Sequence, residues 1–440
     1  MSVLKIQFLL IALLFSYATK AQNSTKFPVS FYNLLKQEKF DEIFALADTT
    51  HIPKAFIDVQ KEKMKPYLSK YGKPKKLIKI LEDEAGTKKR YALLIQFKKE
   101  KKNLTIVVNS NQKYESCAYS DYNENPFFQL KGYQGFSEVT DLTTSLKTYD
   151  GIVLGASVAF GDTSKQKSPC VVFVHGSGAH DRDETIGPNK PFRDLAQGLA
   201  QKGIVSFRYD KRGYDYIRLN KTQIDSIDLY SEVIYDAIEA AKTAKKLSFV
   251  DSSRIYIIGH SLGALCAPKI AELYPSLKGI ILMAGPSGNL IDIVPEQVEY
   301  MANLDDTISN AESLQINQIK WQAEKTKSSY KNDKTPKGLL LLGQSPKYWR
   351  SIMNYNQVET AKKITLPILI LNGERDYQVN MKEFNRWKQE LSSKSNVSYQ
   401  LYPKLNHLFL EGEGKPNPTE YNKSGHIPQY VIDDLAKFIR

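Results

Sequence analysis

Cysteine is scarce in this chain of 440 residues, which contains only Cys117, Cys170 and Cys266. Three cysteines allow at most one disulfide, so the fold cannot rest on cross-links. The thiols are expected to be buried and to behave as small apolar residues. Long apolar runs are also lacking: the run from Ile6 to Phe15 is too short to span a bilayer, and no cysteine follows it to carry a lipid. There is no basic tail or basic helix either. The formal net charge of +13 is spread along the chain, which excludes the usual footprint of a nucleic-acid partner and leaves a basic, solvated surface.

The apolar and charged fractions, 42% and 25%, are those of an ordinary globular protein, and the length accommodates two domains with a sizeable core. Lys5, the apolar run Ile6–Phe15 and the small residues of Thr19-Lys20-Ala21 together predict a signal peptide over residues 1–21, cut near Ala21–Gln22. The mature protein is then expected to be exported to the periplasm or beyond, with no transmembrane segment.

Residues 25–122 predict a small α+β domain. Phe31, Leu34, Leu35, Phe40, Ile43, Phe44 and Leu46 recur at helical spacing, as two helices broken around Gln37–Asp41. Another helix is expected over Phe56–Tyr71, stopped by Gly72 and Pro74. Leu77–Glu82, Tyr91–Phe97 and Leu104–Asn109 then predict strands split by charged turns at 87–90 and 98–103. The segment carries no metal cluster, phosphate loop or nucleophile motif.

From 127 to 440 the pattern becomes that of an α/β domain. Strands Glu138–Leu146 and Ile152–Phe160 lead into the apolar run Val171–Val174, which ends in His175-Gly176-Ser177-Gly178. A helix over Pro191–Gln201, a strand over Val205–Tyr209, a long helix over Ser226–Leu247 and a strand over Gly279–Met283 imply a mostly parallel, doubly wound sheet. Active residues on such a sheet sit at the carboxyl ends of its strands. Between Ala284 and Pro367 runs a polar, helix-like detour, with helices expected over Ile293–Tyr330 and Tyr348–Lys363. It is far longer than a sheet connection requires, and predicts a cap around 286–362 that limits substrate size and excludes water.

The chemistry centres on Ile255-Tyr256-Ile257-Ile258, a strand buried on both faces, followed by Gly259-His260-Ser261-Leu262-Gly263 and an Ala- and Leu-rich helix. The glycines on either side of Ser261 leave room for a strained turn that presents the hydroxyl above the sheet edge, and the helix directs N–H groups to the same point. Serine is a poor nucleophile unless an imidazole takes its proton, and the imidazole needs a carboxylate to hold its tautomer. Asp376 and His407 follow in that order, each just past a strand end (Ile368–Leu371 and Val397–Tyr402). Asp376 is favoured over Glu374 because it lies deeper in its loop. His407 is favoured over His426 because no strand leads into the latter.

The backbone N–H groups of Leu262 and Ser177 are the natural oxyanion donors. His260 is expected to pack away from the serine, and His175 to brace its loop. Asp210 and Arg212 suggest a structural charge clamp, and Asp181 to Glu184 a pocket rim without the spacing of a metal loop.

Taken together, these motifs resemble the α/β-hydrolase superfamily, and within it bacterial esterases of the esterase D type, grouped with serine aminopeptidase-like and dienelactone-hydrolase-like enzymes. The resemblance rests on H-G-S-G-A-H-D-R-D-E-T at 175–185, R-Y-D-K-R-G at 208–213, G-H-S-L-G at 259–263, L-N-G-E-R-D-Y-Q-V at 371–379 and L-N-H-L-F at 405–409. It implies an α/β-hydrolase sheet with a helical cap and a triad of Ser261, Asp376 and His407. It also implies hydrolysis of a small-molecule ester through an acyl-enzyme, without cofactor or metal. Residues 27–119 resemble the small α+β domain, similar to nuclear-transport-factor-like folds, that precedes the hydrolase in such esterases. Exopeptidase or thioesterase action with the same triad is the near alternative, and a non-catalytic binding protein on this fold the distant one. Nothing in the sequence sets an oligomeric state.

Overall fold

Apolar residues at every second position make strands, and those recurring every third or fourth make helices; both periods are visible in the computed structural model. It describes residues 26–47, 68–85, 88–109, 113–121, 139–162, 166–214, 227–330 and 342–440. The expected signal peptide, residues 1–21, lies outside them, as does most of the helix expected over Phe56–Tyr71. The chain divides into two compact units, one within residues 15–131 and the other within 132–440.

In the first unit, helices Lys26–Lys36 and Phe40–Ala45 accompany an antiparallel meander of β1 (Pro74–Ala85), β2 (Lys88–Phe97), β3 (Lys101–Val108) and β4 (Tyr114–Asp121). Phe31, Leu35, Ile43 and Phe44 of the helices pack on Tyr91, Leu93 and Ile95 of β2 and on Leu104 and Ile106 of β3. The alternation of β2 puts Ala92 and Leu94 on the opposite face. Two sequence expectations are corrected. Lys88 to Arg90 belong to β2 rather than to a turn, because they pair with Asp83 to Ala85 of β1 and extend that hairpin. A fourth strand, too polar to show an apolar alternation, follows Asn109 and pairs with β3.

The second unit is built on an eight-stranded sheet in the order β12-β11-β10-β9-β7-β8-β6-β5. Its strands are β5 (Thr140–Lys147), β6 (Val153–Phe160), β7 (Ser168–Val174), β8 (Val205–Tyr209), β9 (Val250–His260), β10 (Gly279–Met283), β11 (Ile368–Gly373) and β12 (Val397–Tyr402). The six strands from β7 to β12 run parallel to their mutual neighbours; β6 is antiparallel to β8, and β5 to β6.

Every residue of β7, β8, β10 and β11 is buried, as expected of strands covered on both faces. Helices Pro191–Gln201 and Gln429–Ile439 cover one face, through Phe192, Leu195, Leu199, Val431 and Leu435. Helices Tyr235–Ala244, Leu262–Leu273 and Met381–Glu390 cover the other, through Ala237, Ala241, Leu265, Ile270, Phe384 and Trp387. Cys170 and Cys266 are buried free thiols within this second cluster. The chain passes from β7 to β8 on one side and then back across to β9 on the other. That reversal opens a crevice at the carboxyl ends of the strands, where ligands bind on such sheets.

The detour after β10 forms helices Leu290–Ala302, Asn310–Tyr330, Pro346–Met353 and Gln357–Lys363. The single helix expected over Ile293–Tyr330 is therefore two, broken at 303–309, where the chain turns so that the pair can pack Val298 and Ala302 on Ile316. The helix expected over Ser226–Leu247 opens instead with a π-helical turn at Tyr230–Ile234. The detour also lies over the strand ends: Gln297 donates to the carbonyl of Gln378 at 2.8 Å, and Tyr355 to that of Leu265 at 2.9 Å.

Candidate active site

Ser261 directly follows β9 and has φ +53° and ψ −114°, a left-handed backbone that a residue with a Cβ adopts only where its surroundings enforce it. Two features enforce it here. The Ser261 N–H donates to the carbonyl of Met283 at 2.9 Å, and the helix Leu262–Leu273 starts at once. Gly263 permits the turn: a Cβ there would lie 2.0 Å from the carbonyl oxygen of Val174, so only glycine lets the helix approach β7 this closely. The strained residue is thus the serine itself, and the glycine beside it serves close approach.

Asp376 and His407 lie in the loops after β11 and β12, which are parallel neighbours. His407 Nδ1 is 2.7 Å from Asp376 Oδ2, and both residues are buried. The other oxygen of Asp376 accepts the N–H groups of Gln378 at 2.8 Å and Val379 at 2.9 Å, so the carboxylate is held from behind. Glu374 and His426 stand apart from this pair. His426 instead faces Asp194 at 3.2 Å, on the helix Pro191–Gln201. Ser261 is tied to the pair through its neighbour: His260 Nε2 donates to the carbonyl of His407 at 2.8 Å, and the two imidazoles lie 4.7 Å apart. Among the described residues the Ser261 hydroxyl makes no hydrogen bond to His407. Such bonds commonly tighten only once substrate is bound.

No described residue accepts a hydrogen bond from the backbone N–H of Ser177 or of Leu262. Both donors are therefore available to an oxyanion. Gly176, just before Ser177, lies against the nucleophile: a Cβ on it would sit 3.2 Å from the Ser261 Cβ and 3.2 Å from the Glu184 carboxylate. Gly176→Val is accordingly expected to lower kcat on an ester at least a hundredfold, because the branched side chain must displace one of them. Ser177→Ala keeps the backbone donor and is expected to stay within roughly tenfold of wild type. Steady-state kinetics on one ester checks both, and equal damage from the two changes would mean that the Ser177 hydroxyl takes part.

Several polar residues occupy places that sequence reasoning did not assign. Asp183 and Glu184 are buried rather than on a rim. Asp183 pairs with Lys190 at 2.8 Å and with Arg208, and Arg208 pairs in turn with Asp141, so each buried charge has a partner. Asp210 and Arg212 do not pair with each other. Asp210 holds Arg182 at 2.8 Å, while Arg212 holds Asp236 at 2.7 Å and Asp150 at 2.6 Å. His175 braces its loop from Nε2, 3.0 Å from the Asp181 carbonyl, and burial lowers its pKa to about 3, keeping the ring neutral.

His260 does more than pack. Its Nδ1 lies 2.9 Å from Glu184 Oε2, a close ionic contact rather than an aligned hydrogen bond. Glu184 Oε1 accepts the Gly176 N–H at 2.6 Å. Burial alone would raise the Glu184 pKa, but the imidazole beside it prevails and holds the carboxyl at about 2. Burial likewise opposes charge on His260, yet Glu184 raises its pKa above the ordinary value. The only signal of this pair in the sequence was an acid in the run after H-G-S-G; its partner lies 76 positions on and is revealed by folding alone.

The carboxylate half of this pair stabilises the fold above the unfolded value of 4.5 and is lost as pH falls through about 2. The histidine half is fully present below 6.5 and is lost as pH rises through its elevated value. Replacing Glu184 by Gln is therefore expected to depress the melting temperature most between pH 4.5 and 6.5, with the gap narrowing on both sides. Calorimetry across that range tests this; a gap independent of pH would mean that the pair is not ionised.

No cluster of three or more His, Cys, Asp or Glu side chains suited to a metal occurs among the described residues, and none of their helices is long and apolar enough to cross a membrane.

Comparison with known proteins adds three findings. Residues 165–414 match the family described as serine aminopeptidase, S33. Esterase EstD of Thermotoga maritima is 40% identical over 271 residues, which are 62% of this chain and 62% of that protein, so the match spans less than two thirds of the relative's length. Among solved structures, the Pyrococcus furiosus esterase Pf2001 is 16% identical over 69% of this chain and 91% of its own, with a TM-score of 0.44. Est1E from Butyrivibrio proteoclasticus is 18% identical over 68% and 97%, with a TM-score of 0.43.

Proposed function

The chain belongs to the serine aminopeptidase S33 family of hydrolases, and we propose that it is an exported carboxylic ester hydrolase acting through Ser261, His407 and Asp376. The observation that carries this reading is the buried 2.7 Å contact between His407 and Asp376, tied through His260 to a nucleophile elbow. The identity to an esterase supports the substrate class.

In this mechanism His407 takes the Ser261 proton as Oγ attacks the ester carbonyl, and Asp376 fixes the Nδ1–H tautomer and stabilises the imidazolium. The carbonyl oxygen becomes an oxyanion held by the N–H groups of Ser177 and Leu262. Collapse breaks the bond to the alcohol, which leaves with the proton from His407, and an acyl-serine remains. Water then gives a proton to His407, attacks the acyl carbon and releases the acid. Ser261 recovers its proton. Metal and cofactor have no part in these steps. The cap over the acid loop supplies the wall that selects acyl and alcohol groups by size.

Export is supported by the charged and apolar segments of residues 1–21. The family's description favours a second reading, an exopeptidase using the same three residues. A panel of short and medium esters, thioesters and aminoacyl amides, assayed on the purified protein, separates the two. Esters are expected to be turned over best, with label from a fluorophosphonate on Ser261. Turnover of the amides alone would favour the peptidase, and absence of label would remove serine catalysis altogether.

A further inference from the structure

Gly176 is gripped on both of its backbone polar groups by buried side chains. Glu184 accepts its N–H at 2.6 Å, and Lys211 Nζ donates to its carbonyl oxygen at 2.9 Å. Lys211 lies in the loop after β8 and is buried, with a side chain 3% exposed. A buried lysine needs a strong reason, since its charge must be paired and its three donors satisfied. Here the pairing is loose: Glu232 Oε2 is 3.6 Å away, and the same oxygen takes the Tyr348 hydroxyl of the cap at 2.7 Å. The shorter of these two contacts of Lys211 is the one to a backbone carbonyl. Its own N–H also holds the loop, donating to the His180 carbonyl at 3.0 Å.

The Gly176 carbonyl and the Ser177 N–H belong to one planar trans peptide, so they point in opposite directions. Anchoring the oxygen on an interior ammonium therefore turns the Ser177 N–H away from Lys211, in a peptide whose Gly176 is so close to the nucleophile that a Cβ on it would sit 3.2 Å from the Ser261 Cβ. A cation on the carbonyl also polarises the peptide and strengthens its N–H as a donor. We propose that Lys211 is the positioning residue of the oxyanion hole, setting the direction and strength of the Ser177 N–H by holding the other end of the same peptide. This rests on the serine-hydrolase reading above. Because Glu232 joins Lys211 to Tyr348, the cap and the oxyanion loop share one polar chain.

The test compares an ester with its thionoester, whose sulfur is a weak acceptor and draws little from an oxyanion hole. Fluorophosphonate labelling of the wild type at Ser261 comes first: failure there refutes the mechanism, whatever Lys211 does. With that in hand, Lys211→Met is expected to lower kcat on the ester on the order of 10–100-fold, with KM within about threefold. The thionoester rate should change far less, so the ratio of ester to thionoester kcat falls by nearly the same factor. A uniform loss on both substrates, or no loss, overturns the proposal. Lys211→Gln, whose amide is one heavy atom too short for the Gly176 carbonyl, serves if the methionine variant does not fold. An unchanged ratio in whichever variant folds refutes the assignment.

Discussion

Ser261→Ala is expected to lower kcat on a good ester by on the order of 10⁴–10⁶ while leaving the protein folded. The loss is large because alanine leaves the turn after β9 without the hydroxyl that attacks in the proposed mechanism. What survives would come from binding and the oxyanion hole alone. The fold should be indifferent to the change. Alanine carries the same Cβ as serine, so the cost of φ +53° is unaltered, and the Ser261 N–H still reaches the Met283 carbonyl. Circular dichroism and kcat on one ester decide the matter. Retention of more than a few per cent of activity by a folded variant would remove Ser261 from the mechanism.

His407→Ala is expected to cost as much, and the double variant with Ser261→Ala no more than either alone, because base and nucleophile act as one unit. The truncation leaves Asp376 without its imidazole, but the Gln378 and Val379 N–H groups still bond the carboxylate, so a modest fall in melting temperature is expected rather than unfolding. His426→Ala should stay within severalfold of wild type, since that ring faces Asp194 on the helix Pro191–Gln201, away from the His407–Asp376 pair. A crippled His426 variant beside an active His407 variant would transfer the role of base. Strictly additive losses in the double variant would mean that serine and histidine do not work on the same step.

The sequence by itself determined the features that depend on local chemistry. The apolar runs Val171–Val174, Ile280–Met283 and Ile368–Leu371, at the hearts of β7, β10 and β11, implied strands buried on both faces. Glycine two residues to either side of Ser261 implied a turn without room for a side chain, and the order serine, aspartate, histidine, each past the end of a strand, put the three candidates at the carboxyl edge of a parallel sheet. Each of these follows from residue type and spacing within a few positions.

Tertiary structure decided what depends on partners far apart in the chain. A buried charge announces nothing about its mate. Arg208 could not be matched to Asp183 and Asp141 until β8 was set beside β6 and β7, and Arg212 took Asp150 and Asp236 instead of its neighbour Asp210. His260 read as packing because only folding brings Glu184 to one of its nitrogens and the His407 carbonyl to the other. The break in the cap at 303–309 and the polar fourth strand of the small sheet have the same origin. Neither carries a strong local period, and each takes its form from the neighbour it packs or pairs with. Short-range sterics and apolar periodicity act within a turn or a strand; electrostatic pairing acts through space, and space is set only when the sheet closes.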